Sequence, residues 1–165
     1  ERGQQWQAAL GLLACMELSR LQADVVTYNA ALGACSGLQH WTRALSLLPE
    51  MRRRTLVPSP TTYNTLISAC AVSQQWRLAA GLLHGMRLDR LAPDVIAHNA
   101  AISACEQAWQ WPRALGLLRS MLQCRLAPSR ITFNASISAC GRGARWREAL
   151  ALLAALRRGG LRPDL

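Results

Sequence analysis

A strict period of 35 residues constrains this chain more than any other property. Trp41, Trp76, Trp111 and Trp146 stand in one register, and Cys35, Cys70, Cys105 and Cys140 in another. A period of this length, held without an insertion, requires one supersecondary unit stacked on copies of itself, each burying its apolar face against the next. The core of such an array lies between neighbours, and its stability depends on having several of them.

Four units can be cut, at 25–59, 60–94, 95–129 and 130–164, opening V-V-T-Y-N-A-A-L-G-A-C, P-T-T-Y-N-T-L-I-S-A-C, V-I-A-H-N-A-A-I-S-A-C and R-I-T-F-N-A-S-I-S-A-C. Residues 1–24 supply the second half of a further unit and Leu165 begins another, so the chain reads as a fragment of a longer array with no capping unit in view. Within the first full unit, Tyr28, Leu32 and Cys35 recur at steps of four and three, the stripe of an amphipathic helix. After a loop at 36–40, Trp41, Ala44, Leu45, Leu48 and Met51 define a second one.

Asp24, Ser59, Asp94 and Ser129 precede the four first helices, and all are N-cap types able to accept from an orphan amide. Pro60 suits the first helical position. Pro49 falls inside a second helix, where it removes a backbone donor and predicts a kink near residues 45–49. No strand signal competes. The expected fold is all-α: an α-solenoid of helix-turn-helix repeats wound into a superhelix, first helices on the concave side and second helices on the convex side.

Composition narrows function. The formal charge is +10 and all 19 basic residues are Arg, whose planar fork suits phosphate or carboxylate. The same Arg residues near helix carboxyl ends, such as Arg52, Arg53, Arg54, Arg87, Arg157 and Arg158, also complement the helix dipole, so charge alone leaves both readings open. No apolar run approaches the ~18 residues that span a bilayer and no amino-terminal signal pattern is present, so a soluble chain is expected, with no membrane partner.

The repeated cysteines recur about one helix spacing apart, roughly 8–10 Å, beyond the ~7 Å that a disulfide tolerates between α-carbons. They are read as small core residues, and Cys15 and Cys124, outside that column, as free surface thiols. With no Cys-x-x-Cys pair, no metal site is expected.

Across the four units the unvarying columns are represented by Asn29, Ala34, Cys35, Trp41, Ala44, Leu47, Leu48, Leu56 and Pro58. All but one are apolar and are explained by packing or turn geometry. The exception is Asn29, Asn64, Asn99 and Asn134. Asn is a mediocre helix former, so its recurrence has a cause outside helix propensity. It can hydrogen-bond a loop of the neighbouring unit, or its planar donor–acceptor amide can face the edge of a nucleic-acid base, one per unit.

The opening at 25–29, the Y-N-T-L-I-S-A-C run at 63–70, the A-L-x-L-L-x-x-M run at 114–121 and the Pro-Asp or Pro-Ser close resemble the pentatricopeptide repeat family over essentially the whole chain. The period separates it from the 34-residue tetratricopeptide repeat. The resemblance implies sequence-specific binding of single-stranded RNA in mitochondria or chloroplasts, in RNA processing, stability or translation, any transit peptide lying outside this segment.

It also implies that the fifth and last residues of each motif choose the base. These are Asn29 with Ser59, Asn64 with Asp94, Asn99 with Ser129, and Asn134 with Asp164. By the family's preferences they spell 5′-CUCU-3′, with tolerance among pyrimidines. Val26, Thr61, Ile96 and Ile131 would pack against base faces. Asp and Ser in the last column are equally explained as helix caps.

Two departures stand out. The Trp41 column replaces a smaller aliphatic residue of the family and, in phase with Ala44, Leu45 and Leu48, is read as core. Trp109 breaks the repeat and is read as an exposed loop aromatic. Where the family meets phosphate, after the first helix, only Arg142 is basic, so four units are expected to bind weakly alone.

No catalytic residue or cofactor is assigned. His40, His84 and His98 lie in three different columns, and neither a His-x-Glu with Pro-Cys-x-x-Cys zinc signature, an acidic metal cluster nor a Gly-rich phosphate loop is present. The expected partner is single-stranded RNA. The rival reading is a tetratricopeptide-like scaffold that takes other proteins into an apolar groove.

Overall fold

A computed structural model describes residues 5–19, 21–37 and 40–158. Among these the chain forms α1 (Gln5–Leu18), α2 (Val25–Ala34), α3 (Trp41–Arg53), α4 (Pro60–Val72), α5 (Trp76–Leu88), α6 (Val95–Gln107), α7 (Trp111–Gln123), α8 (Arg130–Arg142) and α9 (Trp146–Arg158). No strand occurs among the described residues.

The capping chemistry read from the sequence is what starts the even-numbered helices. Asp24, Ser59, Asp94 and Ser129 are extended N-caps whose side chains accept from the amides of Thr27, Thr62, Ala97 and Thr132. Ser59 and Ser129 close full capping boxes with the hydroxyls of Thr62 and Thr132, and Pro60 sits at the start of α4.

Helix ends follow an equally regular rule that the sequence did not announce. Thr55, Arg90 and Arg125 after the odd helices, and Gln74, Trp109 and Ala144 after the even ones, all adopt left-handed φ between 55° and 61°. The next amide then reaches back to the last turn: Leu56 to the Met51 carbonyl at 2.9 Å, Leu91 to Met86 at 2.8 Å and Leu126 to Met121 at 3.0 Å. This six-to-one closure satisfies orphan carbonyls and presses the residue after the reversal onto the helix. It accounts for the unvarying Leu56 column. It also places Trp109 in a reversal, 63% exposed, as its break from the repeat implied.

Helix α3 continues through Pro49 to Arg53, so the missing donor does not end the helix.

Consecutive even helices pack on one another, α2 on α4, α4 on α6 and α6 on α8, whereas α3, α5, α7 and α9 touch only flanking even helices. The even layer is therefore the tighter, inner one, and the array curves around it. Leu32, Leu66, Ile67 and Ile102 of that layer are fully buried, as are Ala44, Ala79, Ala114, Met51, Met86, Met121 and Leu156 behind it.

Cys35, Cys70, Cys105 and Cys140 are buried and unpaired, and burial pushes the thiols of Cys70 and Cys105 up to about 11. Cys15 and Cys124 are exposed. No described helix is long and apolar enough to cross a membrane.

The Trp column corrects the expectation of a core role. Trp41, Trp76 and Trp111 are only half-buried and Trp146 is 63% exposed. Each is the first residue of its helix, at the edge where the chain turns between layers, and residues of the following unit, Arg113 at Trp76 and Arg145 at Trp111, lie against the indole.

One partly exposed network ties α3 and α4 to the end of α5. The Tyr63 hydroxyl donates to Asp89 Oδ2 at 2.7 Å and accepts from Arg52 Nη2 at 2.9 Å, and Arg52 pairs with Asp89 at 3.0 Å. Partial burial opposes charge on Asp89, but the Tyr63 hydroxyl and the Arg52 guanidinium outweigh it and hold the carboxyl below its usual range. Burial, then the Asp89 bond, raises the Tyr63 phenol to about 12. One unit further on the same columns hold His98, Arg87 and Cys124. His98 is buried with Nδ1 2.9 Å from the Asp94 carbonyl, and Arg87 turns to Ser120 at 3.1 Å.

Candidate nucleic-acid interface

The Asn column lies one turn into each even helix, on the inner layer. Asn29, Asn64, Asn99 and Asn134 are half-buried, and Val26, Thr61, Ile96 and Ile131, three residues earlier and hence on the same helix face, are exposed. The fold brings together residues thirty apart in sequence. Asn29 Nδ2 donates to Ser59 Oγ at 3.3 Å, Asn64 Nδ2 to Asp94 Oδ2 at 3.0 Å and Asn99 Nδ2 to Ser129 Oγ at 3.3 Å. Asp164, the sequence partner of Asn134, lies outside the described residues.

In the Ser-containing pairs the bond is part of a closed ring. Ser59 Oγ also accepts from the Thr62 amide at 3.2 Å, and the Thr62 hydroxyl donates to Asn29 Oδ1 at 2.7 Å. Ser129, Thr132 and Asn99 repeat this, with Thr132 Oγ1 2.5 Å from Asn99 Oδ1. The Thr fixes which way the amide faces, because its hydroxyl supplies the proton that Oδ1 needs. Asn29, Asn64 and Asn99 thus do bind the neighbouring unit, at its helix cap. Each of these three carboxamides keeps a second N–H beyond the one given to the cap residue.

The Asn64 pair differs. Position 97 is Ala where the others have Thr, and Asn64 Oδ1 is buried without a partner. An unsatisfied buried acceptor costs about 1–3 kcal/mol. Ala97→Thr, which installs the hydroxyl already present at Thr62 and Thr132, is expected to raise stability by about 1 kcal/mol or more. Thermal unfolding followed by circular dichroism reads this directly, and an unchanged or lowered midpoint would refute it.

Four sequence-expected residues converge in one place. Thr61, Asn64, Asp94 and Ile96 line a single open cleft of ≈ 500 Å³ between the α4 and α6 first turns, with Ser36, Pro60, Thr65 and Ser68 completing it. Its lining combines apolar Ile96 and Pro60 with the hydroxyls of Ser36, Thr61, Thr65 and Ser68 and the Asn64–Asp94 pair. Arg142, the expected phosphate contact, is half-exposed and engaged with Glu106 at 3.4 Å, which also accepts from Ser138 at 2.7 Å.

Sequence reasoning overlooked Thr62 and Thr132. Their signal was the hydroxyl three residues after the Ser caps, the capping-box spacing. No group of three or more His, Cys, Asp or Glu residues that could hold a metal ion occurs among the described residues.

A succession of helix pairs with a periodic polar row on its inner layer defines a helical-repeat protein. Sequence models of the PPR repeat family match residues 23–72, of the pentatricopeptide repeat domain residues 81–143, and of the PPR repeat residues 61–91 and 131–161. The chain belongs to the pentatricopeptide repeat family.

Among solved structures it is similar to the pentatricopeptide repeat protein PPR10 in complex with an 18-nt psaJ RNA element, at 28% identity and a TM-score of 0.81 over 99% of this chain. The pentatricopeptide repeat protein PPR10 from maize matches at 26% identity and a TM-score of 0.73 over 96% of this chain and 23% of that one. The PPR domain of Arabidopsis thaliana protein-only RNase P 1, in complex with tRNA, shares the fold at 15% identity and 0.84, covering 96% of this chain and 84% of that domain. The chain spans 24% of the PPR10 chain in the RNA complex. Among curated proteins none matches.

Proposed function

We propose that this chain binds single-stranded RNA at one nucleotide per unit, as a recruiting or shielding module without chemistry of its own. The observation that carries the proposal is the cleft where Thr61, Asn64, Asp94 and Ile96 meet. Exposed Thr61 and Ile96 of successive units line it together with an amide paired with a cap residue, the groups needed to hold a planar base by its faces and read it by its edge. Family membership and the likeness to an RNA-bound PPR10 support the same reading.

Asn29–Ser59 and Asn99–Ser129 are assigned to C, Asn64–Asp94 and Asn134–Asp164 to U, giving 5′-CUCU-3′. Val26, Thr61, Ile96 and Ile131 pack the base faces. Family membership supports an organellar site of action, in RNA processing, stability or translation.

The test is equilibrium binding to single-stranded RNA carrying CUCU against the same oligonucleotide with purines at those positions. Pyrimidine RNA is expected to bind at least about tenfold tighter, since a mismatched base costs on the order of 1–3 kcal/mol. Equal binding would reject base reading. No RNA binding at moderate salt would favour a protein-binding scaffold.

A further inference from the structure

The Trp residues that leave the core have a second partner. Arg43 lies 4.1 Å from the Trp6 ring centroid and Arg113 5.7 Å from that of Trp76, each reaching back from the following unit by the same sequence step. Arg77 sits over Trp76 at 5.3 Å and Arg147 over Trp146 at 5.1 Å, while Arg145, over Trp111 at 4.6 Å, has its fork taken by Glu148 at 2.7 Å. Among the described residues no carboxylate pairs with Arg43, Arg77, Arg113 or Arg147.

On the opposite edge the situation differs: Arg52, Arg53 and Arg54 are matched by Asp89 and Glu50. Two clefts open along the Trp edge. One of ≈ 230 Å³ is walled by Trp76, Pro112, Arg113 and Leu117, and one of ≈ 330 Å³ by residues 144–148.

The geometry points to this Trp–Arg rim as the seat of the RNA sugar-phosphate backbone, in place of the basic residues missing after the first helices. An indole face holds a guanidinium flat while its N–H fork stays open to an anion, so the stacked Arg is pre-organised for a phosphate. The Trp column shares its 35-residue period with the Asn row, so a strand advancing one nucleotide per unit meets an indole in each unit, with an Arg stacked at Trp6, Trp76, Trp111 and Trp146. A peptide has no such commensurate spacing. Even helices rise about 1.5 Å per residue, which puts the turn about 12 Å beyond Asn64 along α4.

The inference rests on RNA binding as proposed above, and the experiment separates the two. Arg43→Gln, Arg77→Gln and Arg113→Gln are combined, and affinity for CUCU and purine-substituted RNA is measured against salt. For single strands each lost phosphate contact removes about 0.7 from the slope of log affinity on log salt. The triple variant is expected to lose about 2 and to bind at least about tenfold more weakly, with its CUCU-to-purine ratio retained.

The corresponding Lys triple keeps the charge and most of the slope. A single Arg77→Gln change, whose structural role is confined to Trp76, loses about 0.7 even if the triple Gln variant folds poorly. RNA binding with an unchanged slope overturns the rim and leaves base reading intact, the outcome expected of a rim that serves an acidic protein. A wild-type chain with no base preference overturns base reading, while slope loss on any RNA still upholds the rim.

Discussion

Replacing Asn64 with Thr is expected to move the preferred base at that unit from U towards G, so that an oligonucleotide with CGCU in place of CUCU becomes the better ligand. The proposed code predicts the direction, and the geometry gives a reason for the size. Asn64 presents a planar amide braced by Asp94 at 3.0 Å, and Thr presents one rotatable hydroxyl on a branched carbon. The donor pair is lost and the floor of the cleft changes shape. Discrimination of about 1–3 kcal/mol per base corresponds to roughly 5- to 150-fold. Competition between the two oligonucleotides on wild type and variant measures it. Unaltered preference would remove Asn64 from the reading pair.

The largest expected loss of stability follows from Ile102→Ala. Ile102 is fully buried in α6, the helix that packs against α4, α5, α7 and α8. Truncating it is expected to cost about 2–5 kcal/mol. In a stacked array each unit leans only on its neighbours, so a weak central unit uncouples the two sides. Urea unfolding followed by circular dichroism should show a lower midpoint and a shallower or two-step transition. A single transition of unchanged slope and midpoint would mean that α6 does not carry the coupling.

Much of the fold was legible because each helix declares itself locally: Tyr28, Leu32 and Cys35 by spacing, Asp24 and Ser59 by capping chemistry. What failed depends on how one unit turns against the next. Trp41 has the phase of a core residue within its own helix, yet the edge position leaves its column half open. Arg142 looks free in the sequence because Glu106, its partner, lies a unit away. The pairing of Asn29 with Ser59 came only through family resemblance, since no local spacing joins residues thirty apart. The left-handed reversals at Thr55 and Gln74 gave no signal because they use neither Gly nor Asn, the residues that normally mark such turns.

Ser59, Asp94 and Ser129 each begin a helix and, on the proposed reading, each also names a nucleotide. The vocabulary of that column is therefore set by folding before any ligand arrives: only side chains that can terminate the preceding loop and accept from an amide, chiefly Asp, Asn, Ser and Thr, are admissible there. A change of letter outside this set would damage the very helix whose fifth residue must do the reading in the next unit. Mutational drift in target choice is thereby channelled into a handful of exchanges that leave the scaffold standing.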